Sequence, residues 1–129
     1  MIAVDTSALM AIVLNETSAD ACIAALEAEE DVVISAGTLA EALIVAARRD
    51  VADEMVRLID GLGFEIANVT PATARRIAQA YETWGKGIHP AALNFGDCFA
   101  YEVATDRACR LTLLRIGVLP RVSMLPDLS

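Results

Sequence analysis

The sequence predicts an α/β fold in which parallel strands are joined by helical crossovers. Short apolar runs with strand chemistry recur at Ile2–Val4, Val32–Ser35, Phe64–Val69 and Leu111–Leu114. Helical patterns of roughly 10 to 15 residues lie between them, and that alternation is the signature of a parallel sheet. The length of 129 residues suits one compact domain, 1–129, with a real core.

The first strand, Ile2–Val4, runs straight into Asp5-Thr6-Ser7, a natural start for a helix at Ser7–Leu14. A second helix fits Ser18–Glu29. After Val32–Ser35 comes a helix over Thr38–Arg49, where Thr38-Leu39-Ala40-Glu41 has the spacing of a capping box. Val51–Leu62 reads as the next helix, and Gly61-Leu62-Gly63 turns it into the strand Phe64–Val69. Thr70-Pro71 pairs a hydroxyl N-cap with a first-turn proline and opens a helix over Pro71–Trp84. Gly85-Lys86-Gly87-Ile88-His89-Pro90 is the one clear loop. A last helix, Asp97–Ala108, puts Asp97, Ala100, Tyr101, Ala104 and Ala108 on one face. There is no internal repeat, low-complexity tract or linker.

Composition excludes several classes. The apolar fraction is 56%, yet no apolar stretch approaches the roughly 20 residues of a membrane span. The start MIAVDTS lacks a basic segment and enters a strand, which argues against a signal peptide. Cys22, Cys98 and Cys109 have no metal-type spacing and read as reduced thiols, which points to the cytoplasm. The net charge of −8 is wrong for gripping nucleic acid by charge alone. Phosphate chemistry in such a chain must recruit metal cations to reverse the local sign. The high apolar content also suggests surface covered by another chain.

Three acids stand out from the solvated ones. Asp5 closes the first strand, Glu41 is the only charge inside an apolar helical run, and Asp97 opens the inner face of the last helix. Each has a plain structural role available: Asp5 as an N-cap, Glu41 in its capping box, Asp97 against a helix dipole. Together they suggest more. Ligands of open parallel sheets gather at the carboxyl ends of the strands, and the element order brings all three acids to that edge. Glu41 sits on an apolar helix expected to be buried, where an unpaired carboxylate costs several kcal/mol.

Three segments resemble the PIN-domain ribonucleases, and among them the VapC toxins of bacterial toxin–antitoxin pairs. They are MIAVDTSAL, GTLAEALIVAARR and GKGIHPAALNFGDCFAYEVA, of which LNFGDCFAY is the most specific. The resemblance runs from Met1 to about Ala108. It implies a PIN-like three-layer sandwich, with a central parallel sheet of four to five strands flanked by helices. It implies that Asp5, Glu41 and Asp97 are catalytic metal ligands, with Ser7 and Thr6 supporting them. It further implies an Mg²⁺- or Mn²⁺-dependent endoribonuclease, commonly a homodimer, held in check by a VapB-type antitoxin. Lys86, in the glycine loop, and Arg48, at the end of the Glu41 helix, are candidates for RNA contact; both also suit plain solvation.

The resemblance fails at the tail. After its last strand the family usually has glycine and one or two acids. Here Gly117 is followed by Val118-Leu119-Pro120-Arg121, and Asp127 is too far along to substitute. An active ribonuclease is therefore one reading. A catalytically weak PIN-like domain that acts by binding RNA or protein is the other. A phosphatase of another α/β type lacks the nucleophile loop it would need. His89, the only histidine, precedes a proline in the loop and reads as a surface residue.

Overall fold

The computed structural model describes residues 1–113 and 117–119. The elements follow in the order β1 (Ile2–Val4), α1 (Thr6–Val13), α2 (Ala19–Glu27), β2 (Val32–Ser35), α3 (Ala36–Arg48), α4 (Ala52–Leu62), β3 (Glu65–Ala67), α5 (Pro71–Trp84), α6 (Phe95–Asp106), β4 (Arg110–Leu113) and β5 (Gly117–Leu119). The sheet order is β3-β2-β1-β4-β5. The first four strands in that order run parallel, and β5 returns antiparallel to β4. The strand order reverses at β1, so the crevice at its carboxyl end is where this topology holds ligands.

β1 and β2 are buried throughout, which explains the apolar runs Ile2–Val4 and Val32–Ile34. Their side chains alternate between two cores. Ala3 and Val33 meet Ile77 of α5, Leu93, and Val103 of α6 on one face. Ile2, Val4 and Ile34 meet Leu9 of α1, Leu26 of α2, Ala42 of α3 and Met55 of α4 on the other. A helical layer on each side of the sheet gives the three layers expected.

Where element boundaries differ from the sequence reading, caps are the cause. α3 begins at Ala36 because the Ser35 hydroxyl accepts from Gly37 N at 3.2 Å. Thr38 and Glu41 therefore do not form a capping box. The box lies instead at Asn94 and Asp97, so α6 begins at Phe95. α6 ends at Asp106, leaving Ala108 outside the helix with φ 49°. β3 is shorter than Phe64–Val69: Phe64 packs into the core, and three residues pair with β2 at the sheet edge. α3 is not buried all round. Thr38, Ala42 and Ala46 face inward, while Leu43 and Ile44 are exposed. β5 is a strand that the sequence reading did not separate from β4. Leu114 and Asp127 lie outside the described residues.

Candidate metal centre

Asp5 follows β1 and caps α1. Its Oδ2 accepts from Ser7 N at 3.3 Å and from Ser7 Oγ at 2.9 Å. The residue is 2% exposed, and its Oδ1 is buried with no hydrogen-bond partner among the described residues. A buried carboxylate oxygen left so is costly unless a cation answers it. Burial lifts the Asp5 carboxyl to about 6, and the charge of Asp97 adds to the rise. The two Ser7 hydrogen bonds oppose it, and the charge of Glu41 adds a smaller upward push. The three acids singled out in the sequence are thus electrostatic neighbours in the fold.

Asp97 is buried at the start of α6. Its Oδ2 accepts from Asn94 N at 2.9 Å, and its own N–H donates to Asn94 Oδ1 at 2.8 Å. The caps that Asp5 and Asp97 make are what fix their carboxylates at this edge. Glu41, half-buried in the second turn of α3, receives the Thr6 hydroxyl on Oε1 at 2.5 Å. Its carboxylate lies against Gly96, where an added Cβ would overlap it.

The arrangement suits a hard divalent cation. The donors are carboxylate oxygens, and one of them is orphaned and buried. Among the described residues, no three His, Cys, Asp or Glu side chains form a group that would hold an ion by themselves. Mg²⁺ does not require such a cage, since it keeps several waters and binds through one or two carboxylates. Ser7 orients Asp5, and Thr6 orients Glu41.

Lys86 is exposed in the loop before α6. Its amide donates to Leu93 O at 2.9 Å, which ties the loop to the residue preceding the α6 cap. Arg48 lies seven residues beyond Glu41, about 10 Å along the helix axis at 1.5 Å per residue. The fold leaves it at the far end of α3 from the acids. His89 is half-buried rather than at the surface: Nδ1 accepts from Ala91 N at 2.9 Å, and the ring stands edge-on to Trp84. A cavity of about 500 Å³ opens between α5 and α6, lined by Arg76, Trp84, Tyr101 and Glu102 among others. It includes none of the three acids.

The PIN domain family model matches residues 2–113. This chain belongs to the PIN-domain family. Among its relatives is ribonuclease VapC42 of Mycobacterium tuberculosis, 39% identical over 105 residues, covering 78% of this chain and 80% of that one. Ribonuclease VapC36 of the same organism is 41% identical over 118 residues, covering 88% and 84%. The crystal structure of M. tuberculosis VapC20, a sarcin–ricin loop cleaving toxin, aligns with a TM-score of 0.67 at 15% identity, covering 83% of each chain. At that identity the likeness speaks for the PIN fold alone.

Sequence reasoning missed Asn94, Gly96 and Ser35. Asn94 had a signal, because Asn followed three residues later by an acid is a capping pattern. Gly96 had none beyond being a glycine within a helical pattern.

Proposed function

We propose that this PIN domain is a divalent-metal-dependent endoribonuclease toxin of the VapC kind. The observation that carries the reading is Asp5: a buried carboxylate with an orphaned oxygen, raised to about 6 by burial and two acidic neighbours. Asp5 and Asp97 would hold the principal Mg²⁺ or Mn²⁺, and Glu41 would contact it directly or through water. When bound, the ion supplies a water of lowered pKa and charge stabilisation at the phosphate. The protein's own part is to orient. Ser7 holds Asp5, Asn94 holds Asp97, and Thr6 holds Glu41. Lys86 stands exposed near the α6 cap and is proposed as an RNA contact; Arg48, two turns from the acids, is assigned only a peripheral contact.

Partners follow from the same reading. RNA is the substrate, and a VapB-type antitoxin is the inhibitor. The exposed apolar stripe of α3, including Leu43 and Ile44, is assigned to a homodimer contact. Among the described residues no helix is long and apolar enough to cross a membrane. A cytoplasmic location is part of the proposal.

A second reading is favoured by one observation. Where the family places a further acid, this chain has Val118, in β5 opposite Thr112. That substitution removes a candidate second metal position and predicts slowed or absent cleavage with binding retained. Cleavage of end-labelled RNA with Mn²⁺, against an EDTA control and Asp5→Asn, separates the readings. Cleavage abolished by both controls supports the active toxin. Mn²⁺ binding without cleavage supports the weak domain, and no Mn²⁺ effect on either binding or cleavage overturns both.

A further inference from the structure

Glu41 is held differently from its two acidic neighbours. Asp5 and Asp97 are fixed by the backbone they cap. Glu41 lies in the second turn of α3, where the helix has no orphan N–H to offer it. Its orientation is therefore set by other elements. From α1, Thr6 Oγ1 reaches Glu41 Oε1 at 2.5 Å, and the same hydroxyl lies 3.5 Å from Thr38 O on the preceding turn of α3. Thr6 is itself buried, so the hydroxyl has few alternatives.

The other side of the clamp is Gly96 in α6. A Cβ built there would stand 2.7 Å from Glu41 Cδ, closer than real carbon contacts allow. Gly96 does not have the positive φ that favours glycine. A glycine inside a helix is destabilising relative to alanine. The missing side chain here makes space: it lets the Glu41 carboxylate lie against α6. One turn along, Gly37 faces the Phe99 ring in the same way, so the two helices meet through glycine on both sides.

We propose that Thr6 and Gly96 are positioning residues that clamp the Glu41 carboxylate between α1 and α6 and aim it at the Asp5–Asp97 pair. The inference rests on the reading of these acids as a metal centre. Its test is Mn²⁺ calorimetry on the full chain, paired with the melting temperature in EDTA. Thr6→Val keeps the shape and removes the hydroxyl. It is expected to weaken Mn²⁺ binding by about 10-fold, the lower end for residues that orient metal ligands. Thr6→Ser is expected to restore it. In a Glu41→Ala background Thr6→Val should have no further effect, because the hydroxyl would have nothing left to position. Gly96→Ala should weaken binding similarly. Should it fail to fold, the Thr6 series decides alone. Wild-type Mn²⁺ affinity in Thr6→Val overturns the inference, as does an equal loss in the Glu41→Ala background. If Glu41→Ala alone leaves both Mn²⁺ affinity and RNA cleavage unchanged, it is the metal-centre reading that fails.

Discussion

Asp5 keeps its proton to about pH 6 in the folded chain, against roughly 3.9 for an ordinary aspartate. Between those values the folded state holds a proton that the unfolded state has released. Its contribution to stability is thus full below about pH 4 and lost as pH rises through about 6, amounting to about 3 kcal/mol. In EDTA, Asp5→Asn should accordingly lose less stability than wild type between pH 4.5 and 7.5, and should equal or exceed it at the upper end. Urea unfolding at a series of pH values checks this; parallel profiles for the two proteins would refute it. Divalent metal reverses the balance by favouring the charged form, so apparent Mn²⁺ affinity should climb with pH through 6. Nearby, burial first and the Asp97 charge second push the Cys98 thiol up to about 11. Cys22 and Cys109 are buried and raised as well. Native protein at pH 8 should react with iodoacetamide only as fast as it opens; rapid labelling of Cys98 without unfolding would contradict the buried placement.

At the scale of elements, α6 organises the site's edge. Asn94 satisfies Asp97 N, and the Asp97 side chain returns to Asn94 N. Asn94→Ala leaves the second bond available but removes the cap, a loss of about 1 kcal/mol. Because the same bond steadies Asp97, Mn²⁺ affinity should fall along with stability, whereas Thr70→Ala at the α5 cap should lower stability alone. Equal metal affinity in the two variants would separate the cap from the site. α6 is also pinned to α5. Glu102 is 6% exposed and takes its charge partner from Arg76, whose Nε donates to Oε2 at 2.9 Å. Arg76→Leu strands that carboxylate and is expected to cost about 1.5–3 kcal/mol, read by chemical denaturation. Restoration by Glu102→Gln in the same chain would identify the stranded charge as the cause.

Across the whole molecule, the two cores and the exposed α3 stripe predict opposite responses. Ile34 of β2 is fully buried against the α1–α4 layer, so Ile34→Ala should cost about 2–5 kcal/mol. Ile44 is 60% exposed, so Ile44→Glu should leave the stability of an isolated chain within about 0.5 kcal/mol. If α3 forms the dimer contact, that same substitution shifts the sedimentation profile toward monomer. An unchanged profile would remove α3 from the interface. The acidic balance of −8 acts at this scale too: on the proposed function, phosphate attraction falls to the proposed metal centre and to local basic residues such as Lys86.

The sequence by itself determined the parallel α/β plan, because the apolar runs Ile2–Val4 and Val32–Ile34 fill strands buried on both faces and the crossovers between strands carry their own helical periods. It determined which acids are unusual, because Asp5, Glu41 and Asp97 interrupt apolar patterns at positions the element order sends to one edge. Tertiary structure alone decided what surrounds them. That Thr38–Glu41 forms no capping box depended on where Ser35 ended its strand and capped α3. That α3 is half exposed depended on which layers pack against it, which helical periodicity cannot tell in a run made of alanine, leucine, isoleucine and valine. The partners of Glu41, a hydroxyl 35 residues away and a glycine beside Asp97, belong to other helices. Contacts of that kind come from helix–helix approach, a distance that no local spacing encodes.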